Sequence, residues 1–187
     1  SAKITLYGSE TITLTQDTNS GTWEYIGNGT GSTLLTTVKD FGATDYYNLV
    51  INDTAGSNSD IFQMASAITV AGDIAVTDGE LRAGSQTVTV AGDWTNTTGT
   101  GVFDAETSTI VFTPGVTHAI SGSPTFYNVT VTEVDDATDT TLTFVDAETT
   151  IIEGTLTLNG FDADDRINVT ANPGTVPAVL NVLGGSS

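Results

Sequence analysis

Tyr46-Tyr47-Asn48-Leu49-Val50-Ile51 comes back as Phe126-Tyr127-Asn128-Val129-Thr130-Val131, an offset of 80 in the numbering. Upstream, Gly21-Thr22-Trp23 matches Gly101-Val102-Phe103 at the same offset. Downstream, Ile68-Thr69-Val70-Ala71-Gly72-Asp73-Ile74 matches Thr150-Ile151-Ile152-Glu153-Gly154-Thr155-Leu156, the offset having grown to 82. An internal repeat constrains a fold more than any other sequence signal. The chain divides into a leading segment, 1–20, and two related units, 21–100 and 101–187. A finer echo lies inside the first unit: Val70-Ala71-Gly72-Asp73 returns as Val90-Ala91-Gly92-Asp93, a spacing of 20. That is the length of one solenoid winding, so each unit is expected to hold about four windings.

Composition agrees with extended structure. Thr occupies 37 of 187 positions and Gly 20. Thr, Val and Ile favour pleated backbone, and Gly supplies turns. In the repeated stretch Tyr47, Leu49 and Ile51 share one side of a strand, as do Tyr127, Val129 and Val131. Val70, Gly72, Ile74 and Val76 form a second inward set, echoed by Val88, Val90, Gly92 and Trp94. Gly on an inward face signals close backbone approach. Asp73 and Asp93 then point outward and read as solvated edge charges. Residues 3–15 predict two strands joined around Gly8-Ser9, and 52–59 a polar loop. No stretch carries a helical period over three turns. The fold predicted is all-β, a parallel β-helix; the alternative is an antiparallel β-sandwich or jelly roll. The solenoid explains the finer echo better.

These motifs resemble the repeats of large secreted bacterial and archaeal β-solenoid proteins, the adhesin-like or haemagglutinin-like β-strand repeat proteins. The resemblance rests on the Phe/Tyr-Tyr-Asn run followed by Ile68-Thr69-Val70-Ala71-Gly72-Asp73-Ile74 or Ile151-Ile152-Glu153-Gly154-Thr155-Leu156. It covers about residues 21–170. It implies an extracellular or cell-surface location and a structural or adhesive role.

The formal net charge is −19, from 23 acids and four bases. Such a chain lacks the basic footprint that nucleic acid requires and is repelled by anionic lipid. No run of 18 apolar residues is present, so no spanning helix is expected. Without cysteine there is no disulfide or thiolate chemistry. The chain opens at Ser1-Ala2-Lys3-Ile4 without a leader pattern, as a mature form or an excised piece would.

Candidate chemistry is sparse. His118, the single histidine, reads as a loop or surface residue. A glycosidase needs two carboxylates held across a cleft; Asp104 with Glu106, or Asp73 with Asp93, are the pairs on offer. No enzyme is expected. Asp162, Asp164 and Asp165, and Asp135, Asp136 and Asp139, are candidate calcium loops through hard oxygen ligands, although solvated loop acids are the simpler reading. No other cofactor is implied. Trp23, Trp94, Tyr46 and Phe126 offer a sugar-stacking platform, with core packing the simpler reading. The sequons at Asn28, Asn52, Asn96 and Asn168 are glycosylation candidates; that at Asn128 falls inside a strand.

The termini carry the functional expectation. Ile4, Leu6, Ile12 and Leu14 at one end, and Val179, Leu180 and Leu183 at the other, read as strand with no polar cap. An uncapped solenoid end presents unpaired backbone and open core. The expected partners are copies of the same chain stacked head to tail, building a filament or sheath. Surface glycans are the alternative partner, as for an adhesin segment.

Overall fold

Alternating Thr and Val, Ile or Leu gives short strands with one apolar side, and an apolar side must be covered. The chain covers it by winding. The computed structural model describes residues 2–8, 10–13, 18–31, 33–54, 60–134, 138–163, 165–172 and 174–186. Among these residues every strand pairing is parallel.

The strands fall winding by winding onto three walls around one core. β1 (Lys3–Leu6) opens the first wall. The second winding holds β2 (Thr22–Tyr25) and β3 (Leu35–Val38), with Tyr46 bridged to Val70 on the third wall. The third holds β4 (Asn48–Asn52), β5 (Ile61–Met64) and β6 (Ile68–Val70). In the fourth, β7 (Ile74–Arg82) spans two walls, turning at Asp78-Gly79, where Gly79 has φ of 79°; β8 (Thr87–Val90) makes the third. The fifth holds β9 (Trp94–Asn96), β10 (Gly101–Asp104) and β11 (Thr109–Phe112). The sixth holds β12 (Thr117–Ser121), β13 (Thr125–Phe126) and β14 (Asn128–Thr132). The seventh holds β15 (Thr140–Phe144), β16 (Thr149–Ile152) and β17 (Thr155–Asn159). The last holds β18 (Ile167–Ala171), β19 (Val179–Val182) and β20 (Gly185–Ser186).

The first wall runs β1-β2-β4-β7-β9-β12-β15-β18 and the third β6-β8-β11-β14-β17-β20. The second wall is β3-β5-β7-β10 and then β13-β16-β19. Val70 lies against Val90 in register, as a spacing of 20 requires. Chains of like side chains follow. On the first wall Ile4, Trp23, Leu49, Ile74, Trp94, Ile120, Phe144 and Ala171 stack inward. Trp94 meets Phe103 at 4.7 Å and Phe126 at 5.1 Å between ring centroids, both edge-on, the favoured geometry for aromatic pairs.

Three expectations need correction. The windings are not of uniform length: partners on the first wall step from Trp23 to Leu49, an advance of 26, and from Phe144 to Ala171, an advance of 27. The loops between walls absorb the difference, so the inward register survives. The long repeat does not return to the same wall either. Its first copy is β4 on the first wall; its second is β14 on the third. The offset is three windings plus two walls, not four whole windings. Finally, residues 10–13 form no strand, and β1 has no hairpin partner among the described residues; 14 and 15 lie outside them. The parallel ladder with β2 already uses its inner edge.

The corners explain the glycines. Gly92 N–H bonds Gly72 O at 2.9 Å, and Gly72 N–H bonds Tyr47 O at 2.7 Å. A Cβ on Gly92 would sit 2.6 Å from Gly72 C and 2.7 Å from its O, both backbone. A Gly92→Ala variant is therefore expected to lose about 1–3 kcal/mol, the range for forced overpacking. Gly31, where a Cβ would meet nothing within 4 Å, serves as control. Gly31→Ala should move the urea midpoint little, while Gly92→Ala should lower it clearly.

Candidate functional site

Two features stand out from the stacked walls: the ends, where the ladder stops, and the loops, where carboxylates are buried. At the N-terminal end β1 pairs on one edge only among the described residues, with β2. The carbonyls of Ala2 and Leu6 accept from Thr22 N and Ile26 N, so the backbone of Thr5 faces away from the molecule by strand alternation. Ile4 is half-buried and Leu6 buried; Ile12 packs on the core from a loop. Leu14 lies outside the described residues.

At the other end β18, β19 and β20 are the terminal strands of the three walls. The core gapes there. Phe144, Val169, Ala171, Ala178 and Leu180 line an open cavity of about 220 Å³. Val169 stacks inward above Leu142 yet is 47% exposed, because no winding covers it. Val179 and Leu183 are exposed, and Leu180 packs partly on the core. Of the predicted assembly residues, those described sort cleanly to one end or the other.

The loop acids have structural roles that the sequence reading missed. Asp60, fully buried, accepts Asn28 N at 2.7 Å and Leu34 N at 2.6 Å. Asp45, also fully buried, accepts Phe41 N and Thr69 N, and burial pushes its carboxyl up from the ordinary value. Asp53 accepts the N–H of Asp60, and Glu133 accepts the N–H of Thr140, the same step along the chain in both cases. Asp53 and Glu133 are equivalent positions of the long repeat and follow its strand in each copy. The signal was in the sequence: an acid directly after Asn52 and after Thr132.

Asp73 and Asp93 are not simple solvated charges. Asn48 Oδ1 accepts Asp73 N, Asp73 Oδ1 accepts Asp93 N, and Asp93 Oδ1 accepts Ala119 N, each at 2.8 Å. This column of carboxamide and carboxylate oxygens climbs one winding at a time. In the second copy Asn128 Oδ1 accepts Thr155 N at 2.9 Å. The same oxygens are thereby committed to backbone rather than poised across a cleft. In the other proposed acid pair, Asp104 lies 3.3 Å from Arg82 Nε.

His118 is fully buried, contrary to its surface reading. Nδ1 lies 2.6 Å from Gly92 O and Nε2 2.8 Å from Thr113 O, so the ring continues the glycine column. Trp23, Tyr46, Trp94 and Phe126 are all buried, so they are core and not a sugar platform. Tyr46 O–H donates to Lys39 O, Lys39 N–H donates to Tyr25 Oη, and the two hydroxyls meet at 3.0 Å. Burial raises both phenols above their ordinary value.

Among the candidate calcium ligands, Asp139 accepts Arg166 N at 2.8 Å and Asn168 Nδ2 at 3.1 Å. Asp165 is buried and Asp162 exposed. Asp135, Asp136 and Asp164 lie outside the described residues. Among the described residues no group of three or more His, Asp or Glu is placed to hold a metal ion. Of the sequon asparagines, Asn96 is buried and accepts Trp94 Nε1 at 2.8 Å, which leaves no access for a glycan in the folded chain. Asn52 donates to Glu24, and Asn168 to Asp139. Asn28 Oδ1 accepts Thr30 N and Oγ1 at an exposed turn.

No family model, curated protein or solved structure matches the chain.

Two outcomes follow from the acids. Asp60→Ala strips two N–H groups of a charged acceptor and is expected to cost about 3 kcal/mol, at ~1.5 kcal/mol per bond; Asp60→Asn, which keeps one acceptor, should cost less by urea unfolding. For Asp139, the Arg166 N–H and then the Asn168 amide hold the carboxyl below its ordinary value. A lowered folded value means stability present above the unfolded value of about 3.9 and lost as pH falls through the folded one. The gap in unfolding midpoint between the wild-type chain and Asp139→Ala should therefore narrow as pH drops below about 4.

Proposed function

We propose that this chain is an extracellular structural protein whose copies stack head to tail into a filament or sheath. One observation carries the reading: the first wall begins at β1 and finishes at β18, each paired on one edge only among the described residues, and both run parallel to the same ladder. A second copy translated along the axis would set β1 beside β18 without changing strand direction. This contact joins unlike surfaces and does not close on itself, so it propagates. The open cavity under Val169 and Ala171 would be covered by the incoming β1, whose half-buried Ile4 would stack on it. The acidic surface is consistent with solubility of the subunit before assembly.

The adhesin reading has less behind it, since the four aromatics that would stack sugars are interior. Purified protein should form fibres visible by electron microscopy and sediment with concentration-dependent mass. Val169→Lys places a charge in the open end of the core, and Thr5→Pro removes a free edge N–H. Each should abolish fibres while the far-ultraviolet spectrum stays that of the wild type. A wild-type chain that remains monomeric at high concentration would overturn the proposal.

A further inference from the structure

The third wall is the one whose strands are free of charged residues along their whole described length. In their earlier windings the first wall carries Lys3 and Asp78, with Glu24 buried, and the second carries Glu80, Arg82 and Asp104; from β9 and β13 onward their strands carry no charge. The third, from β6 to β20, carries no Asp, Glu, Lys or Arg in a chain of net charge −19. It carries no outward aromatic either: its one aromatic, Phe112, is buried.

What it does carry is in rank. Thr69, Thr89, Val111, Thr130 and Thr157 occupy one outward column, each paired with the next without a register slip. Thr87, Thr109 and Asn128 form the column two residues away along the strands. Parallel pairing sets the spacing between ranks at about 4.8 Å, and alternate residues along a strand lie about 6.6 Å apart. β-branched side chains hold few rotamers, so each methyl and hydroxyl is fixed where the backbone puts it. The neighbours crowd each member to half-burial, which fixes the array further.

A partner for such a wall must be uncharged, flat and periodic in two directions. Charged polymers and lipid headgroups have no counter-charge here. Sugar rings have no aromatic face to stack on. A lattice of water has both the neutrality and the repeat, and oxygen spacings in hexagonal ice are of the same order as the two spacings of the wall. From this placement we infer that the third wall binds ice, holding lattice-like water between methyl ranks and bonding it through the threonine hydroxyls.

The test uses the full chain. The wild type should shape growing ice crystals into facets, depress their growth below the melting point, and, when fluorescently labelled, be taken into a growing ice hemisphere. Thr89→Lys and Thr130→Lys put charge into the middle of the array and should abolish all three effects. Thr95→Lys, outward on the first wall between Ala75 and Ser121, should leave them intact. Thermal unfolding of each variant separates loss of binding from loss of fold. Unfaceted ice with the wild type would overturn the inference. So would ice activity that persists in both third-wall variants, or adsorption to crystalline chitin that those variants lose while ice stays unaffected.

Discussion

Everything in this molecule depends on the parallel backbone ladder staying in register from one winding to the next. Once Val70 lies on Val90, the inward positions above and below are fixed by the pleat, because a slip of a single position would turn the whole apolar set outward. The aromatic and aliphatic columns are a consequence of that register and in turn hold it. A winding can be as short as that from Ile4 to Trp23 or as long as that from Phe144 to Ala171, provided the surplus leaves the ladder in a loop.

The corners show how the register is locked without disulfides. Each corner must bend the chain while keeping backbone groups bonded, since a buried unpaired N–H or C=O is costly. Glycines allow successive backbones to touch, and Asn48, Asp73 and Asp93 lend an oxygen to the N–H one winding up. His118 serves the glycine column in the same way, with its ring against Gly92 O. The buried acids Asp45 and Asp60 do for the longer loops what these corner groups do for the short ones. Much of the chain's carboxylate is thus fastened to backbone, and net charge alone gives a poor picture of its surface.

The sequence made the winding legible because Ala-Gly-Asp recurs, at 71–73 and 91–93, where two windings happen to be short. It made the inward faces legible at Leu49 and Ile51, which alternate as a pleat demands, but not at the corner before them, where Tyr46 is buried in the core and Tyr47 is only half-buried. It hid what depends on the third dimension. His118 looks polar and lone, yet its environment is built by residues from other windings. Asp73 and Asp93 read as edge charges because their acceptor role is visible only when two corners are stacked. Ile12 carries the alternation of a strand, yet residues 10–13 form none, and Ile12 packs on the core from a loop. For the open ends, the cavity beside Ala171 required the packed neighbours to be seen.

The repeated segment sits on the first wall in one copy and on the third in the other. Duplication of this unit is therefore a screw operation rather than a simple lengthening: each insertion turns the motif about the long axis as it advances it. Only after three such insertions would the motif face its original direction. A lineage that grows by copying this block would spread any one surface character around the rod, unless later substitution restored a preferred side.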